Sequence, residues 1–162
     1  MRLSKSIVVS APPQVVWDYL ADLEKYTQFL SGVTRWDEEG GPETGLGARR
    51  RMLIRVGSAE VGGLIEMVEW DPPNDMAWSS VTGIDQRVRF RLRAAGSSST
   101  RVELRYAYGV AGGGITGWIS EHVSAPSLSK HLSLSLQQLK RLVESEKLRS
   151  AATERSGEPA EA

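Results

Sequence analysis

The chain contains no cysteine, which excludes a disulfide framework, a thiolate nucleophile and any cysteine-based metal site. Its only histidines, His122 and His131, stand nine residues apart in a helical pattern. At about 100° per residue they fall on roughly opposite sides of that helix, so no shared metal site is expected. No sign of charge is in excess: 20 basic and 20 acidic residues cancel at pH 7. That balance argues against a general nucleic-acid coat while leaving room for local patches. A long hydrophobic run is missing too, since Met1-Arg2-Leu3-Ser4-Lys5-Ser6 leads directly into a strand. Neither a secretory signal nor a membrane span is therefore read, and a soluble cytoplasmic protein without membrane insertion is expected. No serine sits in a nucleophile elbow, and Gly112-Gly113-Gly114 lacks the Lys-Ser/Thr of a phosphate loop, so it reads as a hinge.

At 162 residues the chain reads as one domain, long enough to bury a core and, if its sheet curves, to enclose a cavity. A short strand, Ser6 to Ser10, is followed by Ala11-Pro12-Pro13 and apolar residues at helical spacing, which predict two short helices meeting near Asp22. Gly32 to Glu39 reads as a second strand. Five more are expected at Ala48 to Val56, Glu60 to Trp70, Met76 to Val81, Gln86 to Ala94 and Arg101 to Val110, separated by turns such as Asp71-Pro72-Pro73-Asn74-Asp75. Separators this short favour an antiparallel meander. In two strands the alternation is clean: Val88, Phe90 and Leu92 interleave with Arg87, Arg89, Arg91 and Arg93, and Val102, Leu104, Tyr106 and Tyr108 with Arg101, Glu103 and Arg105. The apolar face needs a cover. A C-terminal helix from about Ile115 to Glu146, with Leu132, Leu136, Leu139 and Val143 in one stripe, supplies it. Pro126 is expected to interrupt that helix, and Ser150 to Ala162 to form a disordered tail after a domain of residues 1–149.

The run Val9-Ser10-Ala11-Pro12-Pro13-Gln14-Val15-Val16-Trp17-Asp18-Tyr19-Leu20-Ala21-Asp22-Leu23, then Tyr26, Phe29 and Gly32-Val33, then Val68-Glu69-Trp70-Asp71-Pro72-Pro73 with Trp78, resembles the START-like (SRPBCC) superfamily and within it the polyketide cyclase/dehydrase-like proteins. The resemblance extends to about Glu144. It implies an α+β helix-grip fold: a curved seven-stranded antiparallel sheet around a long C-terminal helix, two short helices after the first strand, and a hydrophobic cavity between sheet and helix. Across that superfamily one shape serves lipid carriers, aromatase/cyclases and ribosome-associated proteins.

Strand parity places Phe90, Leu92, Leu104, Tyr106 and Tyr108 on the cavity side, with Met52, Ile54, Ile65, Met67 and Trp78 from neighbouring strands. For any one of them plain core packing is the alternative. Together with Phe29, Leu132, Trp118, Ile119 and His122 from the helical segments, Met52, Met67, Trp78, Phe90, Tyr106 and Tyr108 form the candidate ligand-binding set. Arg50 is the one charged residue in the apolar register of its strand; it suits a ligand anion at the mouth of the cavity, or simply reaches solvent. Arg50, Tyr106 and His122 are the catalytic candidates should a reaction occur, although a structural histidine is the first reading of His122. Arg49, Arg51, Arg87, Arg89, Arg91, Arg93, Arg101 and Arg105 are expected on the opposite, solvated face. The expected function is binding of a hydrophobic or aromatic, lipid- or polyketide-like small molecule as carrier or sensor. An aromatase/cyclase-like enzyme is the alternative and a ribosome- or protein-associated module the third reading. No cofactor or metal is called for, nucleic acid is not the expected partner, and the protein is expected as a monomer or homodimer.

Overall fold

The computed structural model describes residues 2–109 and 125–157. Strand β1 (Arg2–Val9) leads into helix α1 (Pro13–Ala21), which has Pro13 in its first turn where a missing N–H costs nothing. Asp22 ends α1, and its carboxylate accepts from the Glu24 amide to cap a single 3₁₀ turn (Leu23–Lys25) that runs into α2 (Tyr26–Phe29). Strands β2 (Val33–Glu38), β3 (Arg49–Val56), β4 (Ala59–Asp71), β5 (Asp75–Ser80), β6 (Asp85–Ala94) and β7 (Thr100–Gly109) follow, then the long helix α3 (Ala125–Gly157). All seven strands form one antiparallel sheet in the order β1-β7-β6-β5-β4-β3-β2, so the meander returns β7 to the side of β1. This is the helix-grip architecture.

Leu128, Leu132, Leu136, Leu139 and Val143 of α3 are buried and face the sheet. The helix is tied to the first strand by Lys140 Nζ, 3.0 Å from the Val8 carbonyl, and by the Ser10 amide, 2.8 Å from Glu144 Oε1. One expectation changes here. Residues 150–157, read as tail, continue the helix with mostly exposed side chains, because a charged, small-residue stretch can extend a helix already nucleated. Pro126 is the second described residue of α3. The segment before it, including the expected first part of the helix, falls outside the described residues, as do residues 158–162.

The sheet curls at a point where backbones nearly touch. A Cβ on Gly63 would lie 2.1 Å from the Thr82 carbonyl oxygen, so β4 can lean against the β5–β6 turn only with glycine there. A bulge between Met67 and Glu69 then turns Glu69 to the outer face. There it pairs with Arg87 and Arg89, while Asp75 receives Arg91 at 2.8 Å and Arg93 at 2.9 Å. Arg49 pairs with Glu66, Arg51 with Glu39 and Arg105 with Glu103. The arginine rows expected on this face are thus set into a lattice of carboxylates.

Candidate functional site

Between the concave face of the sheet, the turn after α2 and the first turns of α3 lies a cavity. Its volume is about 50 Å³, so it is a narrow slot. Its floor follows from register: Trp78, Val88 and Tyr106 are opposite one another on β5, β6 and β7, and Phe90 is opposite Leu104. Met52, Ile54 and Ile65 extend the floor, Leu128 and Leu132 form the roof, and Tyr26, Leu30, Val33 and Trp36 form one wall. In that wall the Tyr26 ring stacks on Trp36 at 5.0 Å between centroids and 17° between planes. Tyr26 also meets Trp78 and Phe90 edge-on at 6.2 and 6.3 Å. Such offset and edge contacts hold the rings rigid.

Most polar atoms of the wall are already engaged. The Tyr26 hydroxyl donates to Met76 Sδ at 3.2 Å, and burial drives its ionisation far above the ordinary phenol range. Tyr106 donates to Gln86 Oε1 at 2.7 Å and is likewise raised, by burial first and by Tyr108 second. Both phenols are therefore neutral. Trp36 Nε1 donates to the Leu23 carbonyl at 2.9 Å. Trp78 Nε1 is different: it lies close enough to Tyr26 to favour the phenolate, yet it is buried without a partner in hydrogen-bond alignment.

A second polar group sits where the turn meets α3. Ser31 Oγ is 2.9 Å from His131 Nδ1, the Ser31 amide donates to Ser135 Oγ at 2.8 Å, and Ser135 Oγ donates to the His131 carbonyl at 2.8 Å. The imidazole lies directly on Gly32, whose φ is +81°; a Cβ there would be 2.7 to 2.9 Å from Cε1, Nε2 and Nδ1. Glycine is needed twice over, for the left-handed turn and for the ring.

Met52, Trp78, Phe90, Tyr106 and Leu132 line the cavity as expected from parity and stripe. Phe29 and Met67 do not; both are packed in the core beside it, as is Leu92. Tyr108 is half-buried next to Tyr106 at 5.6 Å but outside the wall. Trp118, Ile119 and His122 lie outside the described residues. Arg50 needs correction: it faces inward, but at 2% exposure it is sealed beneath the β2–β3 loop rather than at the cavity mouth. Its guanidinium donates to the Arg49 and Glu43 carbonyls at 2.8 and 3.2 Å, with Glu24 at 3.5 Å. A buried cation takes the acceptors within reach, and here they come from the loop, from the start of β3 and from the turn before α2. Parity arguments missed Ser31, Trp36, Leu128, His131 and Ser135. The spacing 128, 131, 132, 135 is itself one helical face and was the available signal.

The sequence profile of the family described as polyketide cyclase/dehydrase and lipid transport matches residues 1–144. The chain belongs to this family. Solved structures share the cyclase/dehydrase shape across most of its length. The protein TTHA0849 from Thermus thermophilus is 21% identical, with a TM-score of 0.74 over 90% of this chain and 99% of its own. The ZhuI aromatase/cyclase from Streptomyces sp. R1128 is 15% identical, with a TM-score of 0.68 over 89% of this chain and 93% of its own. A START superfamily protein from Mycobacterium smegmatis is 15% identical, with a TM-score of 0.61 over 90% and 95%. At these identities the likeness speaks for the fold alone. No curated protein matches the chain. Among the described residues no helix is long and apolar enough to cross a membrane, and no three His, Asp or Glu side chains gather as a metal site.

Proposed function

We propose that this member of the cyclase/dehydrase family binds a hydrophobic or aromatic small molecule in the slot under α3 and acts as a carrier or sensor. One observation carries the reading: the wall is mainly apolar and aromatic, and its phenols and the Trp36 N–H are spent on protein partners, which leaves few polar groups free in the slot. A slot this narrow, walled by rings, takes a flat aromatic body or a single acyl chain as α3 and the turn after α2 part to admit it. The reading needs no cofactor and fits a cytoplasmic monomer or homodimer whose partner is the small molecule rather than nucleic acid.

The test is titration of the purified protein with naphthalene-sized probes, followed through the fluorescence of Trp36 and Trp78, beside mass spectrometry of material extracted from it. Saturable binding that weakens in Phe90→Ala supports the reading. Absence of both cargo and saturable binding overturns it. The aromatase/cyclase-like alternative has one specific support, the imidazole of His131 in an otherwise apolar slot. Against it, Arg50 lies outside the wall and Tyr106 is bound to Gln86, which removes two of the groups expected to polarise carbonyls. Turnover of a poly-β-ketone chain would favour that alternative.

A further inference from the structure

We infer that His131 is the specificity-determining residue of the slot, and that the ligand it selects carries a hydrogen-bond acceptor oxygen, a carbonyl or carboxylate, on its apolar body. The inference rests on the slot being a binding site. It starts from the hydrogen bonds around the ring. Ser135 Oγ is occupied, donating to the His131 carbonyl and accepting from the Ser31 amide. Among the described residues the Ser31 hydroxyl has one partner, His131 Nδ1, at 2.9 Å. Nδ1 is the one acceptor among the described residues within reach of the Ser31 hydroxyl, and with that hydroxyl donating to it the neutral imidazole carries its proton on Nε2. When the imidazole is protonated, Nδ1–H donates to Ser31 Oγ and Nε2 again carries a proton. In both charge states Nε2 is therefore a donor, held in place by the serine and by the ring's seat on Gly32.

Nε2 has no protein acceptor among the described residues, although the side chain lines the slot. The second observation is independent: Trp78 Nε1, also in the wall and buried, is another N–H without an aligned acceptor. Among the described residues the two unpartnered N–H groups of the wall are Nε2 and the buried Trp78 Nε1. The unmade bond of the buried indole is costly, and Nε2 loses water when a ligand fills the slot; a ligand acceptor offsets these costs while a plain hydrocarbon cannot.

The test uses the full chain and three probes of one shape: 2-ethylnaphthalene, methyl 2-naphthyl ketone and 2-naphthoate, titrated by calorimetry. Water solvates the ketone better than the hydrocarbon, so equal burial alone would favour the ethyl compound. The wild type is expected to bind the ketone or the naphthoate about 3- to 10-fold more tightly than 2-ethylnaphthalene, the worth of one net hydrogen bond. Naphthoate ahead of the ketone assigns a carboxylate ligand, and the reverse a neutral carbonyl; either supports the inference. In His131→Phe, which keeps a flat ring without the N–H, the ratio of ketone to 2-ethylnaphthalene affinity is expected to fall to about one or below, whatever change is common to both probes, and His131→Gln is expected to restore part of the preference. Ser31→Ala, which leaves the ring but frees its tautomer, is expected to reduce the preference, so the inference does not depend on the fold of one variant. Should wild type bind all three probes with 2-ethylnaphthalene tightest, or should His131→Phe and Ser31→Ala both retain the preference, the inference fails while the slot stands as a binding site. If none of the probes binds saturably, both fall.

Discussion

Replacing Gly32 by Ala separates two costs that the structure assigns to one residue. The first is conformational: at φ +81° an alanine pays the left-handed penalty, roughly 1 kcal/mol. The second is steric. The new methyl would stand 2.7 Å from His131 Cε1, and the ring cannot swing away freely because Ser31 holds Nδ1. Overpacking of this kind costs about 1–3 kcal/mol, so Gly32→Ala is expected to lose roughly 2–4 kcal/mol in total. Gly40 is the control, with φ +86° and nothing within 4 Å of its would-be Cβ. Gly40→Ala should therefore lose only about 1 kcal/mol. Urea unfolding of both variants measures the difference, with an unchanged slope confirming that the same surface is exposed. The double variant Gly32→Ala/His131→Ala adds a sign: removing the ring removes the clash, so the two losses should sum to less than their separate values by about 1 kcal/mol or more. Equal losses at Gly32 and Gly40, or strict additivity with His131→Ala, would refute the packing of imidazole on glycine and with it the fixed position of Nε2.

Gly63→Ala should be more damaging than either, about 3 kcal/mol or outright misfolding, because its methyl would meet rigid backbone at 2.1 Å; thermal melts decide. Burial works to raise the Asp75 carboxyl, but hydrogen bonds from Arg91 and Arg93 outweigh it and hold it below the ordinary range. A depressed folded value means stability is present above the unfolded value near about 3.9 and is lost as pH falls through the folded one. Stability measured from pH 6 to 2 should fall at the acid end, less steeply in Asp75→Asn. Phe90→Ala should weaken probe binding several-fold while Arg89→Ala and Arg50→Met leave it within about twofold, since neither arginine reaches the slot; equal effects from both faces would sink the inward assignment. Deleting residues 151–162 should lower helical circular dichroism but shift the melting temperature by no more than a few degrees, because the side chains of residues 151–157 are mostly exposed.

Local patterns decided the elements. Alternation in β6 and β7, proline at the start of α1 and the leucine stripe of α3 each depend on near neighbours, so periodicity alone placed Phe90, Tyr106 and Leu132 on the inner face. The chain order of two short helices, a meander and a long helix narrowed the fold to few candidates, and the resemblance to START-like proteins implied the helix grip. What only the tertiary structure decided depends on pairs far apart in sequence. Arg50 has the inward parity of Met52, yet its destination was set by the Glu43 carbonyl in a loop whose path no local pattern encodes. The outward turn of Glu69 came from a bulge, and the curl of the sheet from glycines touching a distant turn. Ser31 and His131 are ordinary surface-type residues in their own segments. They become a candidate site only because α3 docks its first turns on the loop after α2, with Gly32 leaving room for the ring.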